Sequence, residues 1–494
     1  MTTSTTPSRD SKEIINPKGI SVPALTALVV GSMIGGGIFG LPSQMAGAAA
    51  PGPLLMGWTL TAIGMLMLAF CFQSLANRFP EIDGGVYGYA RAGFGHYLGY
   101  CSAIGYWVGA WIGNVAFLVL LGSSIGTFIP AFGQGNTPLA IAFSSLVLWV
   151  VHFLVLRGVR EATFVNIVVT IAKVVPLVVF VVVAAFSFNP GLLNADFWGT
   201  SIQIGAGADA APLGGTGAQI VAMMLITVWV FSGVEGASIF SNRARRRSDV
   251  GKATVIGFIF VLALLILVNL LSYGVVDQAE LAALPDPSLA AVLASIVGPW
   301  GAKFVSVGLI ISLLGVLLSW VLLATEILRI PSQEGVLPQA IGRSNKYGTP
   351  SIALWMTSVC TQVTLVLTLV SSQTYLFLVL LASGTILIPY LWAALYQMVT
   401  AFRGERIEAG EKGRGYEIVI GVLAVLYTLW LIYAGKDYVL PSMATYFLLT
   451  PLYVVARREQ KEKPFKPYEW AILGALLVGF IGFVVLVALH KVPL

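Results

Sequence analysis

The sequence predicts an all-α integral membrane protein with about 13 transmembrane helices. Three observations lead to this fold class. The 494 residues are 57% hydrophobic and 10% charged, with a mean hydropathy of +0.88, whereas a soluble protein carries about 25% charged residues. Thirteen apolar segments are each long enough to cross a bilayer. Basic residues collect in alternate loops between these segments, as expected for a multi-pass protein of the cytoplasmic membrane.

The segments follow one another with short loops and two longer ones. They cover residues 22–48, 53–77, 98–129, 138–156, 162–187, 219–241, 251–275, 299–330, 351–370, 374–400, 416–434, 438–456 and 469–490. The tail at 1–21 is polar and lacks the charged, apolar and cleavage regions of a signal peptide.

Basic residues predict the orientation of the chain. They lie in the N-terminal tail and after every second span, as Arg78, Arg157 and Arg457 illustrate. The opposite loops at 188–218 and 276–297 carry acidic residues and no Lys or Arg. The positive-inside rule therefore predicts a cytoplasmic N-terminus and an extracytoplasmic C-terminus. The basic run at 243–247 fits stop-transfer anchoring or contact with anionic lipid head groups, rather than nucleic acid.

The stretch Gly31–Gly40 (GSMIGGGIFG) interrupts the first apolar segment. Its three consecutive glycines cost on the order of 3 kcal/mol of helix propensity. Unpaired backbone groups cost more in hydrocarbon, so such a break is tolerated where it lines a cavity. A half-helix that begins after the break directs free N–H groups into this cavity, which suits a small anion such as an amino acid carboxylate. The alternative is close helix packing, because Gly31 and Gly35 have GxxxG spacing.

A second break is predicted in the sixth segment, at 229–238 (WVFSGVEGAS). Two glycines flank Glu235, and a carboxylate at this depth is a functional-site hypothesis by default. Since the two breaks lie five spans apart, spans 1–5 and 6–10 would have opposite topology. Paired breaks in inverted halves indicate a midplane binding site of a secondary transporter. The predicted division is a tail (1–21), two five-helix repeats (22–187 and 219–400) and helices 11–13 (401–494).

Further residues within the spans have candidate roles. Lys173 lies too far from either end of span 5 to reach the interface easily. It either pairs with backbone carbonyls at the first break or takes the place of a coupling cation. Trp229 and Trp320 lie well inside their spans, where an aromatic face attracts a cation by about 2 kcal/mol. Glu235 is the one acid that the sequence assigns to a cationic substrate side chain.

The residue inventory argues against other classes of protein. Neither the cysteines nor the histidines have disulfide-framework or metal-ligand spacing, so no metal and no cofactor is expected. A lone Glu235 and a lone Lys173 do not make an enzyme site, and the spans carry no charge rings or filter-like loop of a channel. The cysteines are Cys71, Cys101 and Cys360, and the histidines are His96, His152 and His490.

Five stretches in this order resemble the amino acid–polyamine–organocation superfamily, and most closely its arginine/ornithine antiporters among the basic amino acid antiporters. They are VGSMIGGGIFGLP (30–42), NRFPEIDGGVYGYARAGFG (77–95), GYWVGAWIGN (105–114), VWVFSGVEGASIFSNRA (228–244) and SLLGVLLSW (312–320). The resemblance implies a LeuT-type fold with a 5+5 inverted repeat and broken helices 1 and 6. It also implies arginine uptake in exchange for ornithine, and a homodimer is compatible with it.

The resemblance further implies the substrate contacts. The substrate carboxylate would bind the amides of the glycine triplet, and its α-amino group the carbonyls of span 6. Arginine/agmatine antiporters have a serine where Gly36 stands, so a hydroxyl contact is missing here. Lys173 matches a lysine of sodium-independent relatives. The implied substrate-binding residues are Gly35, Gly36, Gly37, Tyr106, Gly109, Ala110, Asn114, Trp229, Ser232 and Trp320, with Glu235 and Lys173 in gating or coupling.

Several alternatives remain open from sequence alone. The exchanged pair could be lysine/cadaverine, arginine/agmatine or histidine/histamine. A proton-coupled basic amino acid permease, with Lys173 as the proton carrier, is the other alternative.

Overall fold

Long apolar runs fold as helices because a helix pairs its own backbone N–H and C=O groups where no water is present. The computed structural model describes residues 21–159, 163–205, 210–233, 247–370, 374–407 and 413–489. The N-terminal tail up to residue 20, Glu235 and most of the basic run at 243–247 lie outside the described residues.

The first half of the chain begins with a short helix, a single 3₁₀ turn at Gly37–Phe39 and a second short helix. Its helices are α1 (Val22–Met33), α2 (Leu41–Ala48), α3 (Pro51–Arg78), α4 (Val86–Phe94), α5 (His96–Gly126), α6 (Pro138–Leu156), α7 (Thr163–Phe186), α8 (Pro190–Asn194) and α9 (Thr216–Phe231). Two-residue strands, β1 (Gln203–Ile204) and β2 (Ala211–Pro212), pair antiparallel in the loop before α9.

The second half is helical as well. Its helices are α10 (Arg247–Tyr273), α11 (Gln278–Ala283), α12 (Ser288–Val297), α13 (Pro299–Ile327), α14 (Arg329–Gln333), α15 (Ser351–Leu367), α16 (Thr374–Arg403), α17 (Arg414–Ala434), α18 (Lys436–Glu459) and α19 (Pro467–Ala488). Other 3₁₀ turns lie at Pro130–Phe132 and Thr368–Val370.

Eleven helices within the described ranges are long and apolar enough to cross a membrane. The predicted spans 1 and 6 are not among them, because α1, α2 and α9 are each shorter than 18 residues. These two segments are those for which the sequence predicts breaks. The structure therefore confirms an all-α, multi-pass membrane protein, while the count of thirteen spans and the division into repeats stay predictions.

The centre of the bundle is α5. In its most apolar window 89% of the residues are buried inside the protein, against 11% for α19. Helices α13 and α16 pack against α5, α1 packs against α10, and α3 packs against α9 and α17. Apolar side chains thus line α5 on all sides, as expected for a helix surrounded by protein.

Two segments that sequence analysis treats as loops contain packed helices. The 276–297 segment forms α11 and α12, and both pack against α2. The 78–97 segment contains α4, where Tyr89 stacks on Tyr396 at 6.2 Å between ring centroids. Both segments follow the protein surface because their apolar residues find partners on neighbouring helices.

Candidate functional site

The first break has the position that the glycine triplet predicts. Helix α1 ends at Met33, and Ile34 takes an extended conformation (φ −76°, ψ 94°). The amide of Gly35 donates to the carbonyl of Met33 at 3.0 Å. Within the described part of the chain, the amides of Gly36 and Gly37 donate to no backbone carbonyl. The break is confirmed, and it leaves hydrogen-bond donors available at the start of a helical turn.

The second break begins where α9 ends, at Phe231. Gly233 has φ +103°, a left-handed conformation that glycine adopts without strain. The amide of Ser232 donates to the carbonyl of Trp229 at 3.2 Å, and its hydroxyl donates to the carbonyl of Val228 at 3.0 Å. The end of the helix agrees with the prediction, while Glu235 and the far side of this break lie in the undescribed residues 234–240.

Close contacts join the two breaks. A Cβ added at Gly37 would lie 2.6 Å from Cδ1 of Trp229. A Cβ at Gly36 would lie 2.7 Å from Cδ2 of Leu313 on α13, whereas a Cβ at Gly35 would meet no atom within 4 Å. Gly36 and Gly37 are therefore needed for close approach, and Gly35 borders open space.

An aromatic cluster follows from the same contacts. The ring of Phe117 on α5 lies 5.2 Å from Trp229 and 6.3 Å from Trp320, measured between centroids. Phe117 and Trp229 are buried, and Trp320 is half-buried. Sequence analysis did not select Phe117. Its position three residues after Asn114, on the same helix face, is the signal that would have found it.

The predicted α5 residues differ in their surroundings. Asn114 is fully buried, and neither atom of its side-chain amide has a hydrogen-bond partner among the residues that the structure describes. A Cβ at Gly109 would lie 2.5 Å from Cγ1 of Ile386 on α16, so Gly109 serves helix packing and does not open onto empty space. Tyr106 and Ala110 are buried on the same helix. Among the predicted α5 contacts, Asn114 thus has an amide without a partner in the described part of the chain, and the substrate contacts of all four residues stay predictions.

Lys173 is anchored at the end of α1. Its side chain is 2% exposed, and Nζ donates a hydrogen bond to the carbonyl of Gly31. Helix α1 comes close here, since a Cβ at Gly31 would lie 3.2 Å from Oγ1 of Thr170. The pairing with a backbone carbonyl beside the break, one of the two predicted roles, is present. A coupling role stays a prediction.

Asp286 is an acid beside the site that sequence analysis missed. It lies between α11 and α12, and its Oδ1 is buried without a hydrogen-bond partner, although the residue keeps partial exposure. A Cβ at Gly40 would lie 2.5 Å from this Oδ1 and 2.7 Å from Nε2 of Gln44. Asp286 is therefore a second acid near the site, in addition to Glu235, because a distant loop folds back onto α2. The role of Glu235 toward a cationic substrate stays a prediction.

Comparison with known proteins identifies the family. The model of the amino acid permease family matches residues 20–436, most of the chain. The chain belongs to the amino acid permease family. This family consists of transporters, not enzymes, and the predicted resemblance is thereby confirmed.

Individual relatives of this amino acid permease have related names. The arginine/ornithine antiporter of Pseudomonas aeruginosa is 51% identical over 92% of this chain and 94% of its own length. The L-lysine transport protein of Corynebacterium glutamicum is 37% identical over 94% of this chain and 95% of its own. The arginine/agmatine antiporter of Chlamydia caviae is 37% identical over 91% of this chain and 92% of its own length. The similarity thus extends over nearly the whole of both chains in each case.

Proposed function

We propose that this permease is an antiporter that exchanges basic amino acids across the cytoplasmic membrane, with arginine and ornithine as the pair. The observation that carries the proposal is the 51% identity, over 92% of the chain, to an arginine/ornithine antiporter. The two helix breaks that meet at Gly37 and Trp229 support it, because they combine free amides with an aromatic face.

The substrate would lie between the two breaks. Its carboxylate would accept hydrogen bonds from the free amides, and its ammonium group would donate to carbonyls at the end of α9. One lone pair of the Trp229 carbonyl already accepts a hydrogen bond from the Ser232 amide. The proposed contacts are Gly35, Gly36, Gly37, Tyr106, Gly109, Ala110, Asn114, Trp229, Ser232 and Trp320.

The mechanism would be alternating access. One substrate binds at the midplane, the repeats 22–187 and 219–400 move against each other, and the substrate leaves on the other side. Obligatory exchange requires that the empty carrier reorients poorly. Glu235 would act as a gate next to the site, and Lys173 would hold the end of α1 in place of a metal cation.

A permease that moves its substrate without a counter-substrate is the second candidate. The similarity to an L-lysine transport protein favours this alternative. Lys173, buried against a carbonyl of the broken helix, would then carry the coupling proton.

We also propose that the N-terminus is cytoplasmic and the C-terminus extracytoplasmic. Basic residues in alternate loops support this orientation. Labelling of single cysteines placed at positions 160 and 280 with a membrane-impermeant maleimide would test it, since Glu280 is exposed in the segment after α10. In intact cells, reaction is expected at 280 and not at 160. The homodimer stays a prediction, which light scattering of the purified protein measures.

Counterflow in proteoliposomes tests the function. Vesicles loaded with unlabelled ornithine receive labelled arginine outside, and empty vesicles and vesicles with lysine, agmatine or histidine serve as comparisons. Uptake that requires an internal substrate establishes exchange, and the preferred internal compound identifies the pair. Equal uptake into empty vesicles would contradict antiport and favour the permease.

A further inference from the structure

The segment between α10 and α13 is fixed onto α2, the half-helix after the first break. The hydroxyl of Ser288 accepts a hydrogen bond from the amide of Ser43 at 3.1 Å. At the other end of α2, Nε2 of Gln278 donates to the carbonyls of Ala46 and Ala49 at 3.0 and 3.1 Å. Both ends of α2 are thus paired with this segment, which satisfies backbone groups that a short helix leaves open.

Asp286 brings a carboxyl group to the first turn of α2. The space that a side chain at position 40 would need is occupied by Oδ1 of Asp286, by Nε2 of Gln44 at 2.7 Å and by Cε1 of Tyr375 at 3.1 Å from an ideal Cβ. Gly40 has an ordinary right-handed backbone conformation. The glycine is therefore required here by space and not by backbone geometry.

The carboxyl group of Asp286 has no counter-ion in the described part of the chain. None of the ion pairs among the described residues includes it. The groups that face it are the amide of Gln44 from α2 and the titratable phenol of Tyr375 from α16, and its own carbonyl accepts a hydrogen bond from Ser123 on α5. Burial raises the pKa of Asp286 to about 7, and the nearby Gln44 amide acts in the opposite direction. An unpaired carboxylate in this position takes up a proton or a cation.

The carboxyl group lies close to the proposed substrate site. Gly40 follows Gly37 by one 3₁₀ turn, a rise of roughly 6 Å. Tyr375 lies next to the indole of Trp229, which contacts Gly37. A basic amino acid whose carboxylate is held at the break has a flexible side chain with a positive charge at its end. The length of this side chain is similar to the distance from Gly37 to Gly40. The carboxyl group of Asp286, next to Gly40, is therefore within reach of such a side chain.

We propose that Asp286 is a specificity-determining residue that exchanges a proton for the cationic group of a basic substrate. This inference rests on the proposed function. The O–H bond of the carboxylic acid breaks, the proton goes to water, and the carboxylate pairs with the guanidinium or ammonium group of the substrate. The net charge of the site is zero before substrate binding, with the neutral acid, and zero after it, with the carboxylate paired to the substrate cation. When the product leaves, Asp286 takes a proton back, so a complete exchange moves no net proton.

Arginine affinity as a function of pH tests this exchange. The Michaelis constant for labelled arginine is measured in ornithine-loaded vesicles between about pH 5.5 and about pH 8.5. Proton and substrate compete for Asp286. The Michaelis constant of the wild type therefore rises by up to about tenfold for each pH unit below pH 7 and is constant above pH 7. In Asp286→Asn the value at about pH 8 is raised by about tenfold or more, since a charge-assisted contact is lost, and it no longer depends on pH.

Asp277→Asn is the matched control. Asp277 lies in the same segment, is exposed, and caps α11 by accepting a hydrogen bond from the Ala279 amide at 3.0 Å. Asparagine keeps this cap and removes the same charge, so this variant behaves as the wild type. An Asp286→Asn protein with the wild-type pH profile would overturn the proposal, as would an equal loss of pH dependence in both variants.

Calorimetry of the wild-type protein gives a readout that needs no variant. Arginine titrated at pH 7 in buffers of different ionisation enthalpy releases about half a proton per site, since the pKa of Asp286 is about 7. Arginine binding without proton release contradicts the exchange at Asp286. Failure of antiport itself is recognised separately, because it shows as uptake into empty vesicles at every pH.

Discussion

Gly37 and Trp229 contact each other so closely that position 37 has no room for a side chain. An ideal Cβ at Gly37 would lie 2.6 Å from Cδ1 and 2.7 Å from Nε1 of the indole. The two residues belong to the two segments in which the sequence predicts breaks. Their contact brings the unwound backbone of one segment and the aromatic side chain of the other to one wall of the proposed site.

Gly37→Ala is predicted to lower arginine exchange by about tenfold or more. The added methyl group collides with the indole, and overpacking of this kind costs about 1–3 kcal/mol. Gly47→Ala on α2 is the matched control, because a Cβ at Gly47 meets no atom of the described residues within 4 Å and Gly47 is not a proposed substrate contact. Counterflow rates per inserted protein measure the effect. Equal rates for both variants would show that the Gly37 contact is dispensable.

Trp229→Leu is predicted to weaken the binding of arginine and ornithine by about thirtyfold, while the protein still inserts. This is the loss expected when a cation no longer lies on a desolvated aromatic face, worth about 2 kcal/mol. Trp58→Leu provides the comparison, since Trp58 is fully buried and packs edge-on against Phe231 at 6.3 Å. Unchanged affinity in Trp229→Leu would remove the stacking hypothesis.

The sequence predicted those features of the site that depend on local composition. Three adjacent glycines disfavour a helix wherever they occur, so the end of α1 near Met33 and the turn at Gly37–Phe39 followed from the triplet alone. The end of α9 before Gly233 likewise follows from a local glycine. Buried and apolar positions on the helices likewise followed from hydropathy, which is set by each segment separately.

Features that depend on distant contacts were not predicted. Asp286 lies in a segment that is acidic and contains no Lys or Arg, which indicated a plain external loop. Its carboxyl group is buried because Gln278 and Ser288 fix this segment to α2, and such long-range pairing leaves no local signal. Gly109 is an implied substrate contact, but Ile386 of α16 fills the space beside it.

Lys173→Ala is predicted to abolish or uncouple transport. The substitution leaves the Gly31 carbonyl without the Lys173 ammonium group that now donates to it, and it removes the buried positive charge beside the break. Lys173→Met keeps most of the side-chain volume but removes the charge, so it separates the effect of the lost charge from the effect of lost packing. Lys303→Ala, at an exposed lysine on α13, is the control. Wild-type exchange with wild-type pH dependence in Lys173→Ala would make this lysine merely structural.

Asn114→Leu is predicted to stabilise the empty protein and to abolish its stabilisation by arginine. The amide of Asn114 is buried without a partner, and an unsatisfied group of this kind costs about 1–3 kcal/mol, which leucine of similar volume avoids. The melting temperature of the empty protein should therefore rise by about 1 °C or more. Saturating arginine should no longer raise it further, because the amide is then missing from the substrate site.

Asn269→Leu separates the two effects on the melting temperature. Asn269 is also fully buried, on α10, where its Nδ2 donates to the Leu265 carbonyl at 2.7 Å and its Oδ1 has no partner. Because Asn269 is not a proposed substrate contact, this variant should keep the full arginine-induced rise. An Asn114→Leu protein that arginine stabilises as strongly as it stabilises Asn269→Leu would exclude Asn114 from the site. A destabilised Asn114→Leu protein that arginine no longer stabilises would still support the substrate contact, while contradicting the unsatisfied amide as a source of strain.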